Sequence, residues 1–197
     1  MRSIPSGLLA LLLTSGAALA QPATAPNTAA AAALQRAQAF IASSGCPSAT
    51  ARPAAPPARF TDPTVREATY HRILIEGCGR RMQRNYLAVV MPDGASRMVE
   101  TLPGTTVTDP VLQRDAMQAA TAAARVAAPN CQQIRPQAAD FDGQDSESTA
   151  TRRTRAWTEN WVFEACGQML AVPMRFTPSP RGGTDFSASS SAVRRLN

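Results

Sequence analysis

Two stretches of the chain alternate apolar and polar residues in the same way and end in the same dipeptide. Ile73-Leu74-Ile75-Glu76-Gly77-Cys78-Gly79 lines up without a gap on Trp161-Val162-Phe163-Glu164-Ala165-Cys166-Gly167. Ile73 and Ile75 point to one side, and Leu74, Glu76 and Cys78 to the other, as the two-residue period of a strand requires. The pattern predicts strands from about Thr69 to Cys78 and from Trp157 to Cys166. Return strands follow at Tyr86–Met91 and Gln168–Phe176. Pro92-Asp93-Gly94 reads as a turn before a short strand over Arg97–Thr101, and Gly182-Gly183 as a turn before one over Thr184–Ser187. Pro173 should put the second return strand at a sheet edge, because proline has no N–H for a ladder.

Ahead of each strand pair the period changes to that of a helix. Thr28 caps a predicted helix from about Ala29 to Ser43, with Leu34, Ala37 and Ile41 on one face beside Ala33 and Phe40. Gly45 stops it, and Cys46 follows. A second helix starts at Thr108-Asp109-Pro110, with a capping side chain and a proline in the first turn. It runs to about Ala128 and ends before Pro129, and Cys131 follows. The proline-rich stretch Ala51–Pro63 and the polar stretch Gln137–Thr154 read as irregular connections.

The order helix, cysteine, link, strand, Cys-Gly, strand, short strand thus occurs twice. This reading predicts an α+β fold: a duplicated helix–β-hairpin unit forming one antiparallel sheet or two adjoining ones, with two helices packed on one face around a joined core. The first unit spans residues 29–104 and the second 105–188. Leu87–Met91 matches Leu170–Met174, but lies farther from its Cys-Gly. The first hairpin is therefore expected to carry extra residues, Arg80, Arg81 and Arg84 among them.

Four cysteines allow three pairings. A repeated unit favours the pairing that repeats, Cys46 with Cys78 and Cys131 with Cys166. Each bridge would close a loop of about 33 to 36 residues, worth roughly 3 to 4 kcal/mol in the chain-entropy account. The glycine after each strand cysteine suits a hairpin turn with positive φ. No C-x-x-C pair is present and His71 is the only histidine, so neither a metal site nor a redox-active dithiol is expected.

Residues 1–20 read as an export signal: Arg2, an apolar run centred on Leu9–Leu13, and the small-x-small site Ala18-Leu19-Ala20. No cysteine closely follows the run, which argues against a lipid anchor. Residues 21–28 are expected to be a disordered N-terminal segment and 189–197 a loose tail. No later stretch reaches the ~20 apolar residues of a membrane helix. The mature chain is therefore expected in the periplasm or outside the cell, where cysteines pair.

The formal charge is +6, and all twenty basic residues are arginine. With so much alanine and proline, this reads as GC-rich codon usage rather than guanidinium chemistry. A mildly basic exported protein suits an anionic envelope component or an acidic protein. Nucleic acid is not expected, since aromatic residues do not interleave with the basic ones.

Arg80, Arg81 and Arg84 are the candidate contact, three guanidinium groups at a hairpin tip that would grip phosphate or carboxylate; the bland alternative is a solvated loop. Glu76 and Glu164 hold the same place before each strand cysteine. They are candidates for acid–base work if they face each other across a cleft, or else partners for arginine or a turn. Trp157, Trp161 and Phe163 alternate on one strand and read as core before they read as a sugar-binding strip. His71 reads as a surface or edge residue. No catalytic residue, cofactor or metal is assigned.

The stretch W-T-E-N-W-V-F-E-A-C-G, ending at Gly167, together with G-G-T-D-F ending at Phe186, resembles a motif of small uncharacterised exported proteins of proteobacteria. The resemblance covers mainly residues 157–186, with an echo at 70–91, and implies export but no chemistry. The function read from the sequence is an exported, non-enzymatic binding or envelope-associated protein. The alternative is an envelope-acting hydrolase using Glu76 or Glu164.

Overall fold

A computed structural model describes residues 26–144 and 155–196. The expected signal at 1–20 lies outside these residues, as do most of the expected N-terminal segment and the second half of the polar connection. The fold is α+β, with two five-stranded antiparallel sheets rather than two hairpins each with one short added strand. Helix α1 (Pro26–Ser43) precedes the first sheet and α2 (Pro110–Ala127) the second. In the first sheet β1 (Thr50–Pro53) and β2 (Ala58–Phe60) lie end to end along β3 (Glu67–Gly77), followed by β4 (Arg80–Val90) and β5 (Ser96–Glu100). In the second, β6 (Ile134–Gln144) pairs with β7 (Trp157–Ala165) and β7 with β8 (Gln168–Pro178). β9 (Thr184–Ala188) and β10 (Arg194–Leu196) share the far side of β8.

The strands absent from the sequence reading are the outer ones. Ala51–Pro63 holds β1 and β2, Gln137–Thr154 begins inside β6, and the expected loose tail carries a 3₁₀ turn and β10. Their prolines are tolerated where a ladder bond is not required. Pro53 closes β1, and Pro136 sits at a register shift in β6. Pro173 is not on an edge strand, since β8 has neighbours on both sides. On its outer side, however, β10 pairs only up to Ala171 and β9 only from Met174. Pro173 occupies the gap between them, so its missing N–H interrupts no ladder.

Both hairpins close through two-residue turns, Cys78-Gly79 and Cys166-Gly167. Cys78 and Gly79 have φ of +48° and +70°, and Cys166 and Gly167 +51° and +82°. Positive φ at both central positions belongs to the type I′ turn, whose twist matches that of the strands. The two tips have equal length, so Arg80, Arg81 and Arg84 are not extra loop residues. They belong to β4, whose first pair is Gly77 with Arg80. Disulfides join Cys46 to Cys78 and Cys131 to Cys166, tying the chain after each helix to the hairpin turn.

Each helix covers one face of its own sheet with small residues. Ala29, Ala33, Ala37 and Ile41 of α1 are buried, and the last three pack with Ile73, Ile75 and Tyr86. Ala116, Ala120, Ala123 and Ala124 of α2 lie on Trp157, Trp161, Phe163, Leu170 and Phe176. Alanine lets the helix approach closely, while the sheet supplies the large side chains that fill the layer. Asp109 caps α2 by accepting from the Val111 and Leu112 amides. The core is not joined as the sequence suggested, because the buried apolar residues form two clusters.

What joins the halves is the backbone of residues 101–108. Thr101 and Gly104 donate to the Asn85 and Gln83 carbonyls of β4. Ala139 of β6 then donates to Pro103 and accepts from Thr106. The linker is therefore shared between the two sheets. At Gly104, φ is +110°, and a Cβ would sit 2.4 Å from the Ala139 carbonyl oxygen. Gly104→Ala is expected to cost roughly 3 kcal/mol in a urea titration, from backbone strain plus displacement of the linker. Gly94→Ala, also at positive φ but with nothing within 4 Å of the new carbon, should cost only about 1 kcal/mol. Equal losses would show that φ alone matters and that the close approach does not.

Candidate functional site

Adjacent residues on a strand point to opposite faces, so the three candidate arginines do not converge. Arg84 and Arg81 leave β4 on opposite sides, and Arg80 begins the strand at the exposed tip. Arg84 lies under α1 with its guanidinium 4.0 Å from the centre of the Phe40 ring and ion-paired to Glu100. Arg81 is opposite Glu76 on β3, 3.4 Å from its Oε1. The other oxygen of Glu76 accepts from Arg52 of β1 at 3.0 Å. One carboxylate thus sets two guanidinium groups side by side and leaves most of their N–H donors unspent. Arg52 had drawn no attention in the sequence. It sits in the proline-rich connection, and only the β1–β3 register, Arg52 opposite Leu74, brings it here.

These residues face a cleft of about 570 Å³ at the junction of the two sheets. Arg52, Leu74 and Arg81 line it from one face of the first sheet, and Met82, Arg84 and, from α1, Phe40 line it from the other face. The linker residues Pro103, Gly104 and Thr105 also line it, as do Ala138 and Asp140 of β6. Asp140 Oδ1 accepts from the Thr105 amide at 2.9 Å and from its hydroxyl at 3.3 Å. A smaller groove, about 190 Å³ and mostly aliphatic, lies between α1 and the β4–β5 ribbon.

The two repeated acids do not face each other. Glu76 is held by its arginines, and Glu164 accepts from the Gly167 amide at 2.7 Å, bracing the second hairpin turn. Neither stands unpaired in a cleft, as an acid–base residue would. Trp157, Trp161 and Phe163 form no exposed strip, since all three are buried. Trp157 stacks on Phe176 with ring centres 5.2 Å apart. Among the described residues, no group of three or more His, Cys, Asp or Glu is placed to hold a metal ion, and no helix is long and apolar enough to cross a membrane.

His71 is a correction to the sequence reading: it is 3 % exposed, opposite Tyr86 in the middle of the β3–β4 ladder. Its Nε2 has no hydrogen-bond partner, and burial pushes the imidazole pKa below its ordinary value of 6.5. The unfolded chain therefore binds a proton more readily than the folded one. The contribution of the neutral ring is complete above pH 6.5 and is lost as pH falls below it. The unfolding free energy should drop between pH 7.5 and pH 5, and drop less in His71→Leu. Identical pH profiles for the two proteins would refute this account.

Comparison of the chain with protein-family models, with curated proteins and with solved structures gave no match. The site's chemistry therefore rests on its own residues.

Proposed function

We propose that this chain is an exported, non-enzymatic binding module of the cell envelope, and that it binds through the junction cleft. The observation that carries the reading is the pairing of Arg52 and Arg81 across Glu76 at the mouth of a cleft large enough for a small ligand. Two guanidinium forks held at fixed spacing suit a carboxylate or another flat anion. Leu74 offers apolar contact on the same face. The residues of the site therefore differ from those expected from the sequence: Arg52 joins Arg81, and Arg80 stays at the exposed tip.

Two disulfides suit an oxidising compartment, in keeping with export to the periplasm or beyond. The repeated order of helix, cysteine, strands and Cys-Gly turn supports descent of the two halves from one duplicated unit. The resemblance around Trp157–Gly167 to exported proteins goes with the same reading.

A direct test uses a defined probe, the N-acetylated tripeptide Ala-Leu-Ala with a free carboxylate, against its C-terminal amide. Binding to the mature protein is followed by amide and guanidinium NMR shifts. The acid should bind and move the Arg52, Arg81 and Gly104 signals, while the amide should not. The Arg52→Gln/Arg81→Gln protein should bind the acid about tenfold more weakly. Indistinguishable behaviour of acid and amide would discard the proposal.

A further inference from the structure

The cleft is not uniformly basic. Its first-sheet side carries Arg52, Arg81 and Arg84, while its β6 side carries Asp140. Each of the three arginines already has an acidic partner in the protein, Glu76 or Glu100. Asp140 has no cationic partner among the described residues. Its Oδ1 is occupied by Thr105, and no described residue donates to Oδ2. The Thr105 bonds also fix its position, because the linker that supplies them is pinned to β4 and β6 by four backbone hydrogen bonds. A half-buried carboxylate with a fixed position, and one oxygen to which no described residue donates, suits an incoming ammonium group.

We infer that the cleft takes a zwitterion: a short peptide or amino-acid derivative whose carboxylate meets Arg52 and Arg81 and whose ammonium meets Asp140, with an apolar portion between them against Leu74. The inference rests on the proposed binding reading and names its ligand class. The arrangement rejects a simple polyanion, which would bring negative charge against Asp140. It likewise rejects a simple cation, which would meet three arginines.

The test is a four-way comparison on the mature, disulfide-bonded protein by calorimetry. The probes are the tripeptide Ala-Leu-Ala with both termini free, with only the amine blocked by acetylation, with only the carboxylate blocked as the amide, and with both blocked. The free tripeptide should bind about tenfold tighter than the acetylated acid. Asp140→Asn removes the charge but keeps the oxygen that holds Thr105. It should abolish that tenfold gain without weakening the acetylated acid, whose carboxylate meets less negative charge in the variant. If the acetylated acid binds as well as the free tripeptide, or if Asp140→Asn weakens both equally, the zwitterion inference is wrong while the anion-binding reading stands. If no probe binds better than the doubly blocked peptide, both fall together. The Arg52→Gln/Arg81→Gln protein checks that any binding is at the cleft. These two side chains are exposed, and their replacement leaves the core intact.

Discussion

Glu159→Ala should lower the unfolding free energy by on the order of 4 kcal/mol, among the largest effects of any single substitution in this chain. Glu159 is fully buried in β7. Its carboxylate accepts from the Thr106 and Thr108 hydroxyls, the Val107 and Thr108 amides and the Trp161 indole N–H, all between 2.7 and 3.1 Å. These donors hold the last residues of the linker against the second sheet, just where α2 starts. Alanine would leave them buried without an acceptor, and each such donor costs about 1–3 kcal/mol if it cannot reach water. Relaxation and entering water would recover part of that sum. Glu159→Gln should be milder, since it keeps one carbonyl oxygen but turns an amide NH₂ towards donors. Urea titration of the three proteins at neutral pH measures the order. A loss below about 1 kcal/mol for Glu159→Ala would mean that the network is not what anchors the linker.

Removing either disulfide should cost roughly 3 to 4 kcal/mol, because the closed loops are of similar length. The structural consequences should differ. α1 is held by a small cluster, in which Ala33, Ala37 and Ile41 meet Ile73, Ile75 and Tyr86. Without the Cys46–Cys78 bridge its C-terminal end is left to Ile41 in that cluster and to Phe40 over Arg84, and the helix should open locally. α2 has a larger aromatic cluster, the Asp109 cap and the Gln113 side chain bonded to the Thr108 carbonyl at 2.8 Å. Hydrogen exchange should show fast α1 amides in Cys46→Ser/Cys78→Ser, but protected α2 amides in Cys131→Ser/Cys166→Ser. Both helices staying protected, or α2 opening first, would contradict this division of stability.

The elements that were legible in the sequence are those specified by neighbouring residues. The Asp109-Pro110 start of α2 needs only its own first turn. The Cys-Gly turns need only two residues that tolerate positive φ, although the left-handed conformation of the cysteines themselves gave no signal. The disulfide pairing followed from the repeat in spacing. His71 and Glu159 show where such reading stops. They occupy matching places seven residues ahead of the two turn cysteines; His71 reads as a surface or edge residue, and Glu159 draws no reading of its own. Both are buried, but one has an unpartnered nitrogen and the other a full set of donors. The flanking residues do not specify the burial of either side chain. Apart from the Trp161 indole two residues on, Glu159's donors come from a linker about fifty positions away in the chain.

The sequence by itself determined two helices, the Asp109 cap of the second, two hairpins and the sulfur bridges, because each depends on local conformational preference or on similar cysteine spacing. The first helix starts at Pro26, so Thr28 lies inside it rather than capping it. The tertiary structure alone decided which proline-rich and polar stretches become outer strands, how the linker is shared between two sheets, and that Arg52, Arg81 and Asp140 line one cleft. Those outcomes depend on strand register and backbone hydrogen bonds between distant segments. A change of one residue in register would turn each of these side chains to the opposite face.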